Sequence, residues 1–112
     1  LFRSKGMKFG ILIETHEPEK AWNGVRFANA SIKAGHEVRI FLMSAGVEIE
    51  GIVHETFDVR VQLKIFHDAG GVVGCCGTCK RGRELASTEI CPISSMNDLV
   101  EMIVWADRTL TF

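Results

Sequence analysis

The chain has 112 residues, 46% of them hydrophobic, which is enough for one buried core and too little for two domains. Thirteen Lys and Arg are interspersed with fourteen Asp and Glu for a net charge of −1, which argues against a nucleic-acid surface or a polybasic membrane patch. No apolar run approaches the ~20 residues of a membrane helix, and four cysteines with no secretory leader point to a reducing, cytoplasmic compartment with reactive or metal-binding thiols.

Met7 reads as the natural start, so residues 1–6 are expected to be a non-native or disordered leader and 7–112 a single domain. Lys8 to Ile13 is a short apolar run suited to a buried parallel strand. Glu17-Pro18-Glu19 then starts a helix, because proline fits a first turn and acids suit the positive end of the helix dipole; Trp22, Val25, Ala28 and Ile32 share one face before Gly35 ends it. Val38 to Met43 is the second strand, and Ser44 to Val53, with Gly46 and Gly51, reads as a loop with room for a helical turn. Phe57 to Ala69 fits both periods, but a parallel strand at Gly71 to Cys75 needs a crossover of about a dozen residues, so helix is expected. A short helix around Cys79 to Leu85 and a small strand at Glu89 to Ile93 follow. Ser95 to Asp98 forms a capping-box pattern before Met96, Leu99, Val100, Ile103 and Val104 at helical spacing, and Arg108 to Phe112 closes as a strand. The expected fold is α/β, a three-layer α/β/α sandwich with a mainly parallel sheet of about five strands.

The most informative stretch is Val72 to Arg81, where an apolar strand delivers Cys75 and Cys76 to its end and Cys79 follows three residues later. A helix starting near Thr78 places Cys76 at the strand-to-helix corner, where unpaired N–H groups and the dipole stabilise a thiolate. Lys80, Arg81 and Arg83 add positive charge, and Glu14, His16 and Ser44 are expected at the same carboxyl edge of the sheet. The thiolate is the form that attacks a disulfide, a persulfide or a metal.

Three chemistries compete for these residues. A thioredoxin-like oxidoreductase uses strand, Cys-x-x-Cys and helix, but here only 33 residues follow Cys79 and Pro92 is the sole later proline. A zinc site would draw on Cys76, Cys79 and Cys91 with Cys75 or a histidine, yet a second close pair is missing, so no metal is expected. A sulfur carrier needs one exposed nucleophile to hold a persulfide and a second thiol to resolve it, roles that suit Cys76 and Cys79. With no glycine-rich phosphate loop, no nucleotide cofactor is expected.

The stretches Met7 to Glu14, Gly35 to Leu42, Cys76-Gly77-Thr78-Cys79, Cys91 to Leu99 and Trp105 to Phe112 resemble DsrE/DsrF-like proteins, most specifically in the Cys-Gly-Thr-Cys and Cys-Pro-Ile-Ser pair. The resemblance implies a compact α/β/α domain that assembles as trimers or hexamers and relays persulfide sulfur between donor and acceptor proteins. Its relay cysteine maps onto Cys76 or, one residue earlier, Cys75. Two positions depart from the pattern: Cys75 replaces a small apolar residue, and Glu84 stands where a glycine commonly follows the arginine matching Arg83. Cys76 is the expected acceptor nucleophile and Cys79 the resolving thiol of a sulfur carrier or sulfurtransferase. Cys75, Cys91, Glu14, His16, Lys80, Arg81 and Arg83 are supporting candidates. The alternative is a non-enzymatic oligomeric binding or redox-sensing module that toggles Cys76 and Cys79 between dithiol and disulfide.

Other residues have plainer readings. His36 is expected to interact with a helix C-terminus, His54 and His67 to lie on the surface, and His16 to be a solvated loop histidine or a base for a cysteine. Cys91 is expected within the fourth strand. Trp22, Trp105, Phe57 and Phe66 are expected to be buried in part between subunits.

Overall fold

The computed structural model describes residues 6–112, so the expectation for the first six residues falls almost wholly outside the described residues. The chain runs β1 (Lys8–Ile13), α1 (Pro18–Lys33), β2 (Glu37–Leu42), a three-ten helix (Ser44–Gly51), α2 (Val59–Asp68), β3 (Val72–Cys76), α3 (Gly77–Arg81), β4 (Ile93–Ser94), α4 (Met96–Trp105) and β5 (Arg108–Thr111). The sheet order is β4-β3-β2-β1-β5, with every pairing parallel.

The order follows from the handedness of the crossovers. The chain steps outward from β1 to β2 to β3, so right-handed connections put α1 and α2 on one face. From β4 it returns past β1 to β5, and the reversed direction puts α4 on the other face. The side chains record this division. Ile11, Ile40 and Val73 form one register row, and Ile13, Leu42 and Cys75 the next, on the face under α1 and α2. Val25 and Ala28 from α1 and Val59, Leu63 and Phe66 from α2 close this core. On the opposite face a Cβ at Gly10 would meet Met102 and Ala106 at 3.3 Å, so the glycine lets α4 lie close on β1.

Local signals set the helix ends. Glu17 caps α1 by accepting from the Lys20 N–H at 2.8 Å, with Pro18 in the first turn. Ser95 and Asp98 form the reciprocal capping box of α4, the Asp98 carboxylate accepting from the Ser95 N–H at 2.7 Å and the Ser95 hydroxyl from the Asp98 N–H at 3.2 Å. Gly35 (φ +98°) and Gly70 (φ +88°) turn the chain out of α1 and α2 through the left-handed region.

Several expectations need correction. The helical turn within the expected loop extends over all of Ser44–Gly51 as a three-ten helix, because Val47 and Ile49 are pulled into the core. The fourth strand is Ile93–Ser94, not 89–93, so Cys91 precedes it; only these two residues pair with the end of β3. The helix after the cysteines spans Gly77–Arg81 and ends before Leu85. Phe66 is fully buried in the core, and Phe57 packs edge-on to Trp22 at 5.2 Å. One cluster of exposed apolar side chains lies on α4, at Met96, Val100, Ile103 and Val104, and Val61 and Ile65 are exposed on α2. His36 takes the Met7 N–H on Nδ1 at 2.9 Å and packs on Phe9, rather than facing a helix terminus.

Candidate functional site

β3 ends at Cys76, and α3 begins at once, with Cys76 as its N-cap. Successive strand residues face opposite sides of a sheet, so the adjacent cysteines part company. Cys75 joins the row of Ile13 and Leu42 and is fully buried. Cys76 turns to the other face and lines an open cleft of about 510 Å³ together with Thr78, Arg81, Ile93, Ser94 and Ser95.

Burial is the largest influence on the Cys76 thiol and pushes it up. The Cys79 N–H, the Cys79 thiol, the Thr78 N–H and the Arg81 charge together outweigh it, so Cys76 sits below the ordinary thiol value. Cys79 moves the other way, raised first by the neighbouring Cys76 sulfur and then by burial. Of the two, Cys76 therefore gives up its proton more readily and Cys79 keeps its own.

The three-ten helix holds Cys79 from the far side. The Ser44 N–H donates to Cys79 Sγ at 3.3 Å, and the Ser44 hydroxyl donates to Glu14 Oε1 at 3.4 Å. Arg83 donates from Nε to Glu48 Oε2 at 2.7 Å and from Nη1 to the Cys79 carbonyl at 3.3 Å. The Arg83 hydrogen bond, first, and the His16 ring hold the Glu48 carboxyl below the usual carboxylate range. Ser44 and Glu84 are the non-glycine residues of the described chain in the left-handed region, at φ +54° and +56°, and they bracket this assembly.

Behind the sheet lies a second thiol pair. Cys91 is fully buried beside Cys75, whose sulfur, followed by burial, pushes the Cys91 thiol up. Backbone contacts bring them together: the Cys75 N–H donates to the Pro92 carbonyl at 3.1 Å, and the Cys91 N–H donates to the Thr88 hydroxyl at 2.9 Å. Cys91 thus faces Cys75 and not Cys76, and the cysteines a zinc site would use do not converge on one point.

The candidates therefore sort unevenly. Cys76, Cys79, Arg81 and Arg83 meet at one place, and Glu14 touches it through Ser44. Lys80 does not meet them. Only 2% exposed, it turns inward and donates from Nζ to the carbonyls of Ala86 at 2.8 Å and Cys91 at 2.9 Å. His16 makes its contact with Glu48, Nδ1 to Oε1 at 3.3 Å, so it supports the loop rather than a cysteine. Sequence reading placed Ser44 at this edge without a role and passed over Glu48, Thr78 and Ser95. The available signal for Ser44 was its position just beyond a strand end, where loop N–H groups point at the site.

The sequence profile of the DsrE/DsrF-like family matches residues 7–112. The chain belongs to the DsrE/DsrF-like family. An uncharacterized protein of Methanocaldococcus jannaschii is 31% identical over 95% of this chain and 100% of its own length. A second, from Methanopyrus kandleri, is 28% identical over 84% of this chain and 83% of its own. Among solved structures, the ychN protein from E. coli superposes with a TM-score of 0.82 at 23% identity, covering 96% of this chain and all of that one. A conserved protein of unknown function from Bacteroides thetaiotaomicron gives 0.74 at 20% identity over 94% of each chain. These likenesses establish a DsrE-like α/β fold. No helix among the described residues is long and apolar enough to cross a membrane.

Proposed function

We propose that this DsrE-like protein is an intracellular sulfur carrier, with Cys76 as the thiolate that accepts sulfane sulfur and Cys79 as the thiol that resolves it. The observation that carries the reading is the place of Cys76 at the corner between β3 and α3, where it lines the cleft beside Arg81 with its thiol lowered while the neighbouring Cys79 thiol is raised. A disulfide switch can share this asymmetry, so the persulfide experiment below separates the two readings. Loading is an exchange at sulfur in which the Cys76 thiolate attacks the outer sulfur of a donor persulfide, a sulfur–sulfur bond forms, and the donor leaves as its own thiolate. Arg81, beside Cys76, favours both the starting thiolate and the perthiolate that replaces it.

Donor and acceptor in this reading are proteins of the cytoplasm, because the cleft is shallow and open and the thiol pair calls for a reducing compartment. The apolar outer face of α4 is the surface on which a homo-oligomer, a trimer or hexamer, would close. The test is intact mass spectrometry after incubation with a persulfide donor. Wild type should gain about 32 Da per sulfur atom, the mass of one added rung on the cysteine ladder. Cys76→Ser should gain nothing, and Cys79→Ser should load and hold its sulfur longer. Equal loss in both variants, with no persulfide in either, would replace relay by a disulfide switch.

A further inference from the structure

Two neighbours pull the Cys79 thiol in opposite directions. The Cys76 sulfur, the larger influence, raises it. The Ser44 N–H, which donates to Cys79 Sγ at 3.3 Å, lowers it by favouring the thiolate. That donor is held by a non-glycine residue at φ +54°.

The loop is over-determined in this position. The Met43 N–H donates to the Ile13 carbonyl at 3.1 Å, the Gly46 N–H to the Met43 carbonyl at 3.0 Å, and the Ser44 hydroxyl to Glu14. Gly46 presses on the end of β1 so closely that a Cβ there would run into the Ile13 carbonyl. Arg83 and Glu48 fix the backbone of Cys79 from the other side. Ser44 N–H and Cys79 Sγ are thus held together by both β-strand ends and by α3.

We propose that the Ser44 backbone N–H is a built-in donor for the Cys79 thiolate and takes part in the step that resolves a Cys76 persulfide. The inference rests on the carrier reading and deepens it. Once Cys76 carries sulfur, its negative charge lies on the outer sulfur of the perthiolate, which takes the Cys79 proton. The Cys79 thiolate, stabilised by the Ser44 N–H and by Arg83, attacks the inner sulfur of the resulting Cys76–S–SH. The Cys76–Cys79 disulfide forms, the sulfur–sulfur bond of the persulfide breaks, and hydrosulfide leaves with the electron pair and its proton. Ser44 therefore governs release and not loading. The groups around Cys79 are the Cys76 sulfur at the end of β3, Arg83 beyond α3, and the Glu14, His16 and Glu48 side chains of the flanking loops.

The test removes the one N–H. An ester in place of the Met43–Ser44 amide deletes the donor and keeps the side chain, and it is made first in a Cys76→Ser chain, where no persulfide is needed. Alkylation of Cys79 at neutral pH should slow about tenfold relative to the amide, the loss of one charge-assisted hydrogen bond. An unchanged rate would overturn the proposal. In the otherwise wild-type chain, the ester should load sulfur at the normal rate and release hydrosulfide about tenfold more slowly. Normal release, or equal loss of loading and release, would also overturn it. Ser44→Gly, which suits φ +54° and keeps the N–H, should release normally and guards against a mere folding defect. Failure of the wild type to load at all would sink the carrier reading, while the Cys79 alkylation result would still decide whether Ser44 is a thiolate donor.

Discussion

Lys80 is the single most consequential side chain behind the site, and Lys80→Met isolates its charge. Methionine matches the apolar stem, so little cavity opens and the change is confined to the ammonium. Two hydrogen bonds vanish with it, to Ala86 O and Cys91 O. Hydrogen bonds to a charged group have a net worth of about 1.5–3 kcal/mol each, a figure that already includes removal of the charge from water, so the pair contributes about 3–6 kcal/mol. A domain of this size has about 5–15 kcal/mol in total. The variant should therefore fold but lose a large share of its margin, with a urea midpoint lower by about 1.5–3 M at an m-value of about 2 kcal/mol/M. A local probe accompanies the global one. The 85–92 loop is held down by these bonds, so the fully buried Cys91 should become open to alkylation under native conditions. A loss below about 1 kcal/mol, or a gain, would refute the reasoning and show that confining the ammonium costs as much as its two bonds return.

Glu84 holds a left-handed φ of +56° that glycine adopts freely, so Glu84→Gly should be neutral to stabilising by up to about 1 kcal/mol in thermal or urea unfolding, whereas Glu84→Val should destabilise. Cys76 lies below the ordinary thiol value of about 8.5, so its alkylation should stay fast below that pH and fall away only as protons return at the lower folded-state midpoint; Arg81→Gln should shift that fall to higher pH. A midpoint at or above the free-thiol value would exclude Cys76 from the nucleophile role. Cys75→Ala should load sulfur normally, since Cys75 faces the core row of Leu42 and Ile13; loss of loading there, with retention in Cys76→Ala, would move the nucleophile one residue earlier. Val104, 82% exposed on α4, should be a contact between subunits, so Val104→Asp should convert a closed oligomer to monomer in sedimentation. A wild-type chain that already sediments as a monomer at micromolar concentration would contradict this.

The elements with a strong local cause were legible. Lys8–Ile13 is a strand because its apolar run has no competing period, and α4 starts where Ser95 and Asp98 can cap one another. Elements that exist through distant contacts were not. β4 is two residues long and forms because Cys75 and Cys76 offer it a partner, so no propensity over 89–93 marks its position. The three-ten helix is fixed by Val47 and Ile49 entering the core and by Gly46 against Ile13, none of which has a local pattern. Lys80 shows the same limit at the site. Its charge could be counted from sequence, but its direction depends on the loop that returns Ala86 and Cys91 above it. The strand order, unreadable beforehand, follows once α4 and β5 are seen to double back.

The sheet divides the vicinal pair Cys75–Cys76 between its two faces. Strand alternation gives each thiol its own face, so a cysteine at 75 acts as a small buried residue and meets Cys91 instead of competing for the cleft. Both thiol pairs nevertheless hang on α3. Its Cys79 and Thr78 N–H groups lower the Cys76 thiol on one side, and its Lys80 ammonium pins the Cys91 loop on the other. Any shift of this five-residue helix moves both at once. A helix so short has little intrinsic stability, so its position is set by what grips it: Ser44 on the Cys79 sulfur, Glu48 through Arg83, and the two carbonyls around Lys80. The chemistry proposed for Cys76 therefore depends on residues as far as 32 positions from it in sequence, and those residues, rather than the Cys-x-x-Cys spacing alone, hold the two thiols in place.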